Sequence, residues 1–297
     1  MSSVSIVVLA VGILLFVAAA AIAVPTLISR HTYRSFVGDA TAHQVLRDAH
    51  ASRVMDRALR ALVQASNDES LRVPGVVMAV LGNDSVAVHV AAPSQYPPVP
   101  WETSVDGLVW TASLADLQTA RVDSATPNPY TGLFTIGVSE AGRVFADLDQ
   151  AHGLISIGGD VASRREVARR WIVEASARTW TTGAVVLVGL DDRAQPVPTP
   201  APTIYDVIAL VKTGTPGLVF IEGEPHPEQA ALLARALEAP TSRCPVIVVG
   251  ASADARWRFT AQQNGWITSD FLPAARYIPD TAVVEPAPST IATAVPA

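Results

Sequence analysis

The sequence predicts an α/β protein in four parts: an N-terminal transmembrane helix, an amphipathic stalk, a β-rich subdomain and a mainly parallel sheet covered by helices. Three observations carry this expectation. From Val4 to Ile28 there is no ionisable side chain, a stretch longer than the roughly 20 apolar residues a helix needs to cross a hydrocarbon core. From Gly75 the apolar residues switch to period two, as half-buried strands do. From Gly153 onward short continuous apolar runs alternate with helix-length segments, the pattern of buried parallel strands and the helices that cover them. With 297 residues, 49% apolar and 16% charged, the chain is long enough for one or two domains with a real core.

The first element is the anchor, residues 1–29. Its rival reading is a cleaved signal peptide, because "AIA" before Val24 has the small-x-small form of a cleavage site. The leader "MSSVS", however, carries no Lys or Arg and the apolar stretch exceeds an h-region. Arg30 and Arg34 follow the anchor with no basic residue before it. The positive-inside bias then puts the N-terminus outside and the C-terminal domain in the cytoplasm of a single-pass cell-membrane protein, with the lipid bilayer as partner through residues 4–28. One cysteine, Cys244, excludes an intramolecular disulfide and any cysteine-rich metal cluster.

Residues 30–72 form the juxtamembrane stalk. Val45, Leu46, Val54, Met55, Leu59, Leu62 and Val63 fall near helical spacing among arginines and aspartates, which suits packing on the domain or self-association. Residues 73–150 form the β-rich subdomain. "GVVMAVLGNDSVAVHVAAP" reads as two strands around Gly82-Asn83-Asp84-Ser85, and "LFTIGVSEAGRVFADLD" as two more around "SEAG". Trp101 and Trp110, between these hairpins, read as plugs of a small β core; the alternative is the lining of a peptide groove.

Residues 151–279 form the α/β part. The runs "GLISIGG", "AVVLVGL", "GLVFIEG" and "PVIVVGA" are its strands, with helical patterns at 161–178, 203–212 and 226–238 and a last hairpin turning at Asn264-Gly265. Residues 280–297, "DTAVVEPAPSTIATAVPA", show no period that would bury a face and read as a disordered tail.

The stretch "GGDVASRRE" has the outline of a phosphate-binding loop. In G-x-x-x-x-G-K-[ST] the glycines let backbone N–H groups wrap the phosphates, the lysine neutralises their charge and the hydroxyl holds magnesium. With Gly159 at the first glycine, after Gly158, the second glycine is replaced by Arg164, the lysine by Arg165 and the hydroxyl by Glu166. Lys212 is the one lysine of the chain and lies on a different helical segment. The order hairpin, "GRVFADLDQAHGLISIGGD", arginine-bearing helix, strand resembles the FtsK/HerA-type RecA-like motor domain. It looks closest to divergent bacterial membrane proteins that carry such a domain without its catalytic residues. The resemblance implies a RecA-like three-layer sheet with a degenerate P-loop. It also aligns "GLVFIEGE" with the Walker B strand, Glu222 standing at the aspartate and Gly223 at the following glutamate.

Other chemistry is sparse. Asp191 and Asp192, with Glu222 and Glu224, follow apolar strands, where carboxylates are ordinarily solvated loop residues. "VGASADA" around Ser252 is no nucleophile elbow, since Asp254 stands where glycine is required. Arg164, Arg165, Arg169 and Arg170, followed by Trp171, read as a solvated helix face paired with Glu166 and Glu174. A net charge of −6 gives no broad footprint for nucleic acid. The expected function is a membrane-anchored, non-catalytic scaffold or regulatory protein with a protein partner or self-association, without catalytic residue, metal or cofactor. The alternative is a divergent nucleotide-binding ATPase linked to DNA or protein translocation.

Overall fold

The computed structural model describes residues 49–177, 184–190, 203–239 and 244–276. The first element, α1 (Ala49–Asp68), buries Met55, Ala58, Leu59, Leu62 and Val63, spaced three and four apart on one helical face. That face lies on a meander of β1 (Val76–Leu81), β2 (Ser85–Val90), β4 (Val109–Ser113) and β6 (Gly142–Asp147), in one core with Val86, Val88, Trp110 and Phe145. Trp101 and Trp110 are both buried in it, as core plugs. The apolar face of the stalk from Met55 onward therefore packs on the domain. Val45 and Leu46 lie outside the described residues.

The remaining elements of this half are β3 (Glu102–Thr103), the short α2 (Leu114–Thr119) and β5 (Leu133–Ser139). A 3₁₀ turn, Leu148–Ala151, leads on to β7 (Leu154–Gly159) and α3 (Val161–Ala177). Then come β8 (Ala184–Val188), α4 (Ile204–Thr213), β9 (Gly217–Glu222), α5 (Pro227–Leu237) and β10 (Val246–Val249). The described chain closes with β11 (Ala255–Ala261), β12 (Trp266–Ser269) and β13 (Ala275–Arg276). The hairpins and the three helices after Gly153 coincide with their sequence patterns to within about a residue or two at each end.

The 13 strands of the described residues form one sheet, in the order β3-β4-β2-β1-β6-β5-β13-β12-β11-β7-β10-β9-β8. Four pairings are parallel, those linking β11, β7, β10, β9 and β8. The other eight are antiparallel. This corrects the expected fold class: the sheet is large, mixed and mostly antiparallel, not a mainly parallel RecA-like sheet. The physical reason is the return of the chain after β11. It turns back at Gly265, whose φ of +82° favours glycine, and carries β12 and β13 to the edge of β5, where Arg276 pairs with Val138. The meander and the parallel strands thereby become one sheet.

The transmembrane architecture is corrected as well. Among the described residues no helix is long and apolar enough to cross a membrane, and residues 4–28, which carried that expectation and the cell-membrane localisation, lie outside them. The 280–297 segment also lies outside them.

Inside the parallel part, alternate residues of β7 feed opposite faces, as the pleat requires. Ile155 and Ile157 join Val167 and Trp171 of α3, whereas Leu154 joins Val207 of α4 and Leu233 of α5. The chain thus moves out to β8 with its helix on one face and returns through β9 to β10 with its helices on the other, which keeps parallel crossovers right-handed. Helix α3 also closes a gap in the sheet. The Thr135 N–H of β5 donates to both carboxylate oxygens of Glu174 (3.1 and 3.2 Å), and the Thr135 carbonyl accepts from Trp171 Nε1 (3.0 Å). Side chains of α3 therefore satisfy backbone groups that a neighbouring strand would otherwise take.

Candidate functional site at the ends of β7 and β9

Strand β7 ends at Gly159 and α3 begins at Val161, so the single residue Asp160 joins strand to helix. Gly159 has φ +111°, and a Cβ there would collide with the carbonyl oxygen of Ala261 on β11. Only glycine fits such a position. Gly158 lies within the β7–β11 ladder opposite Thr260. Asp160 caps the helix: its carboxylate accepts from the Ser163 N–H at 3.0 Å and its carbonyl from the Arg164 N–H at 3.0 Å. Hydrogen bonds from the Ser163 side chain and backbone hold its carboxyl below the ordinary aspartate range. A phosphate bound at a helix N-terminus uses those first-turn N–H groups and the favourable end of the helix dipole. Here the chain's own carboxylate is placed against them, and a one-residue connection supplies no arc of backbone to wrap a phosphate chain.

Arg164 and Arg165, the fourth and fifth residues of α3, reach across to Glu222 at the end of β9. Arg165 Nε lies 3.2 Å from Oε1 and 3.3 Å from Oε2, and Arg164 Nη2 lies 3.8 Å from Oε1. The Glu222 side chain is 16% exposed and that of Arg165 57%, so the arginine can swing into solvent while the carboxylate stays. The next residue, Gly223, has φ +79°, and a Cβ there would meet nothing within 4 Å; its N–H donates to the Val249 carbonyl. No carboxylate stands where the aligned Walker B pattern has its second acid. Glu224 accepts from the Ala253 N–H at 3.2 Å.

The structure thus brings Gly159, Arg164, Arg165, Glu222 and Gly223 to one end of the parallel strands. Glu166 turns along its own helix to Arg169 (2.9 Å) and Arg170 (3.2 Å). Trp171 is a core residue, 1% exposed, edge-on to Phe259 at 5.5 Å. Lys212 is exposed in the last turn of α4, which leads into the start of β9, the opposite end of that strand from Glu222. Asp191 and Asp192 lie outside the described residues, and among the described residues no group of three or more His, Cys, Asp or Glu is placed to hold a metal.

The burial of two polar groups escaped the sequence reading, which had weighed Ser252 only as a nucleophile and rejected it. The Ser252 hydroxyl, just after β10, is buried without a hydrogen-bond partner among the described residues. Asp147, at the end of β6 where the two halves join, is buried, and its side chain accepts from the Asp149 N–H at 3.2 Å. Burial, then the nearby Asp149 charge, pushes its carboxyl well above the ordinary range. Neither has a local motif, because each depends on residues brought together by folding. Cys244 lines a small cavity with His152 and Asp149. Burial first, then the Asp149 charge, pushes its thiol up to about 12, so it is not a thiolate nucleophile at neutral pH.

No family model matches the chain, and no curated protein matches it. A solved structure of the pCW3 conjugation coupling protein TcpA, in its monomer form with ATPγS, is similar at 12% identity and a TM-score of 0.26, over 69% of this chain and 83% of that one.

Proposed function

We propose that this chain is a non-catalytic scaffold or regulatory protein that presents its α/β surface to a protein partner, with the phosphate-loop position closed by its own side chains. The observation that supports this most is the contact of Arg164 and Arg165 with Glu222, next to a helix start capped by Asp160. Phosphoryl transfer works by positioning and by stabilising charge. An arginine that faces a glutamate, with no adjacent hydroxyl and a glycine in place of the second acid, supplies neither. Arginine is also a broad planar fork where the motif uses a compact ammonium.

A second reading, a divergent nucleotide-binding ATPase that uses Arg165, is favoured by the open space beside Gly223 and the unpartnered Ser252 hydroxyl. The full chain with ATP or GTP and magnesium separates the two. The scaffold reading expects no turnover above background and no nucleotide-dependent rise in Tm. Magnesium-dependent turnover that disappears in Arg165→Ala would establish the second reading instead.

A further inference from the structure

The connection from β2 to β4 occupies residues 91–108 and holds one short strand, β3, which ends the sheet order on the side away from β8. Connections longer than roughly 12–15 residues with so little structure of their own are uncommon and ordinarily functional. This one is held in place by hydrogen bonds. The Ser94 N–H donates to the Gly107 carbonyl (2.9 Å), Gln95 Nε2 to the Val105 carbonyl (3.1 Å) and the Trp101 N–H to the Pro98 carbonyl (2.8 Å). Thr103 Oγ1 and Trp110 Nε1 both donate to the Ser94 carbonyl (3.2 and 3.1 Å), and Glu69, just past α1, accepts from the Val99 N–H at 2.8 Å. Trp101 turns inward to the α1 core, but Tyr96, Val99, Val105 and Leu108 face solvent, Tyr96 81% and Val105 100% exposed. They are four of the eight large apolar side chains exposed among the described residues, a concentration rather than the scatter normal for a protein surface.

The charge around this apolar set has one sign. No Lys or Arg occurs from 73 to 120, a span that carries Asp84, Glu102, Asp106 and Asp116. Glu102 and Asp106, both exposed, lie on the connection itself, and among the described residues neither forms an ion pair with an arginine or lysine. The Ser104 hydroxyl, then the Leu108 N–H, donate to the Asp106 carboxylate and hold it below the ordinary aspartate range. The histidine of this span, His89, is half-buried, and burial lowers its pKa by more than the Asp106 charge raises it, so it supplies no cation at neutral pH. We propose that this face docks a segment of a partner protein in which lysine or arginine stands beside apolar side chains. The apolar residues of that segment cover Tyr96, Val99, Val105 and Leu108, and its cations meet Glu102 and Asp106 at the rim. Carboxylates without a balancing cation repel phosphates, which disfavours nucleic acid and an anionic bilayer here. The face lies at the other end of the sheet order from β9 and Glu222, so the inference goes beyond the scaffold reading and does not rest on the Arg165–Glu222 contact.

The test titrates the full chain, its valine and leucine methyl groups isotope-labelled, with a short synthetic peptide that alternates leucine with lysine. The Val105 and Leu108 methyl signals, assigned by their loss in Val105→Ala and Leu108→Ala, should move and saturate. Tyr96→Ser with Val105→Ser removes exposed side chains and leaves the core intact, and should weaken binding about tenfold or more. Glu102→Gln with Asp106→Asn should weaken it to a similar degree. Peptides with glutamate in place of lysine, or serine in place of leucine, should each bind about tenfold or more weakly than the parent. No saturable movement, movement confined to other signals, equal affinity for either control peptide, or affinity unchanged in either double variant would overturn the proposal. Sedimentation of the full chain alone tests the remaining occupant: self-association that disappears in Tyr96→Ser with Val105→Ser would assign the face to a second copy and overturn the proposal as well.

Discussion

Helices α1 and α3 pack on the same sheet through apolar faces and both carry arginines, yet their arginines do different things. On α1, Arg57 donates to the carbonyls of Leu117, Gln118 and Ala120, and Arg60 to those of Asp123, Ser124 and Thr126. These carbonyls belong to the end of α2 and the loop after it, so both side chains fix a connection against the helix. On α3, Arg164 and Arg165 face the carboxylate of Glu222 on another element. An arginine that satisfies several carbonyls holds the fold together. One that meets a partly exposed carboxylate at the strand ends contributes little to stability.

That contrast yields graded expectations. The largest effect is on the α1 face: Leu62 is fully buried, and Leu62→Asp should cost several kcal/mol (on the order of 3–5, the penalty of an uncompensated buried charge) and leave the chain largely unfolded by circular dichroism. Next is Arg57→Ala, which removes three hydrogen bonds to carbonyls. A loss of about 1–3 kcal/mol in urea denaturation is expected, with increased proteolysis between residues 117 and 126.

The joint between the halves gives a smaller, pH-dependent effect. Because the folded state raises the Asp147 carboxyl, the stability it contributes is fully present below the unfolded value and is lost as pH rises through the folded one. Asp147→Asn keeps a neutral acceptor for the Asp149 N–H, so the Tm of the variant minus that of the wild type should grow as pH rises from acid to neutral. A constant difference would show that this carboxyl is not perturbed. Smallest is Glu222→Gln, which weakens a partly exposed ion pair and should change stability by less than about 1 kcal/mol; a large loss would move Arg164 and Arg165 into the structural class of Arg57.

Much of the secondary structure was legible because it is written in local periods: two for the hairpins, near 3.6 for the helices, and continuous apolar runs for β7 to β10. The sheet as a whole was not. Its joining depends on β13, a strand of two residues, and on Glu174 and Trp171 reaching Thr135, and no local pattern marks such pairings. The same holds at the site. In the phosphate-loop frame expected from the sequence, Arg164 and Arg165 stand at the positions of a glycine and a lysine, but the contact with Glu222, 57 residues from Arg165, exists only once β9 lies two strands from β7. The one-residue connection at Asp160 was legible, since the apolar run ends at Gly159 and the helical pattern starts at 161; the capping of the helix by the Asp160 carboxylate was not.

In the proposed scaffold, α3 meets Glu222 rather than a nucleotide. The most direct measurement follows the arginine Nε–H signals of Arg164 and Arg165 by NMR in the full chain as ATP and magnesium are added, with assignments from Arg164→Lys and Arg165→Lys. The signals should stay in place up to millimolar nucleotide and move in Glu222→Gln without any. Saturable movement of the Arg165 signal with magnesium and ATP in the wild-type chain would contradict it.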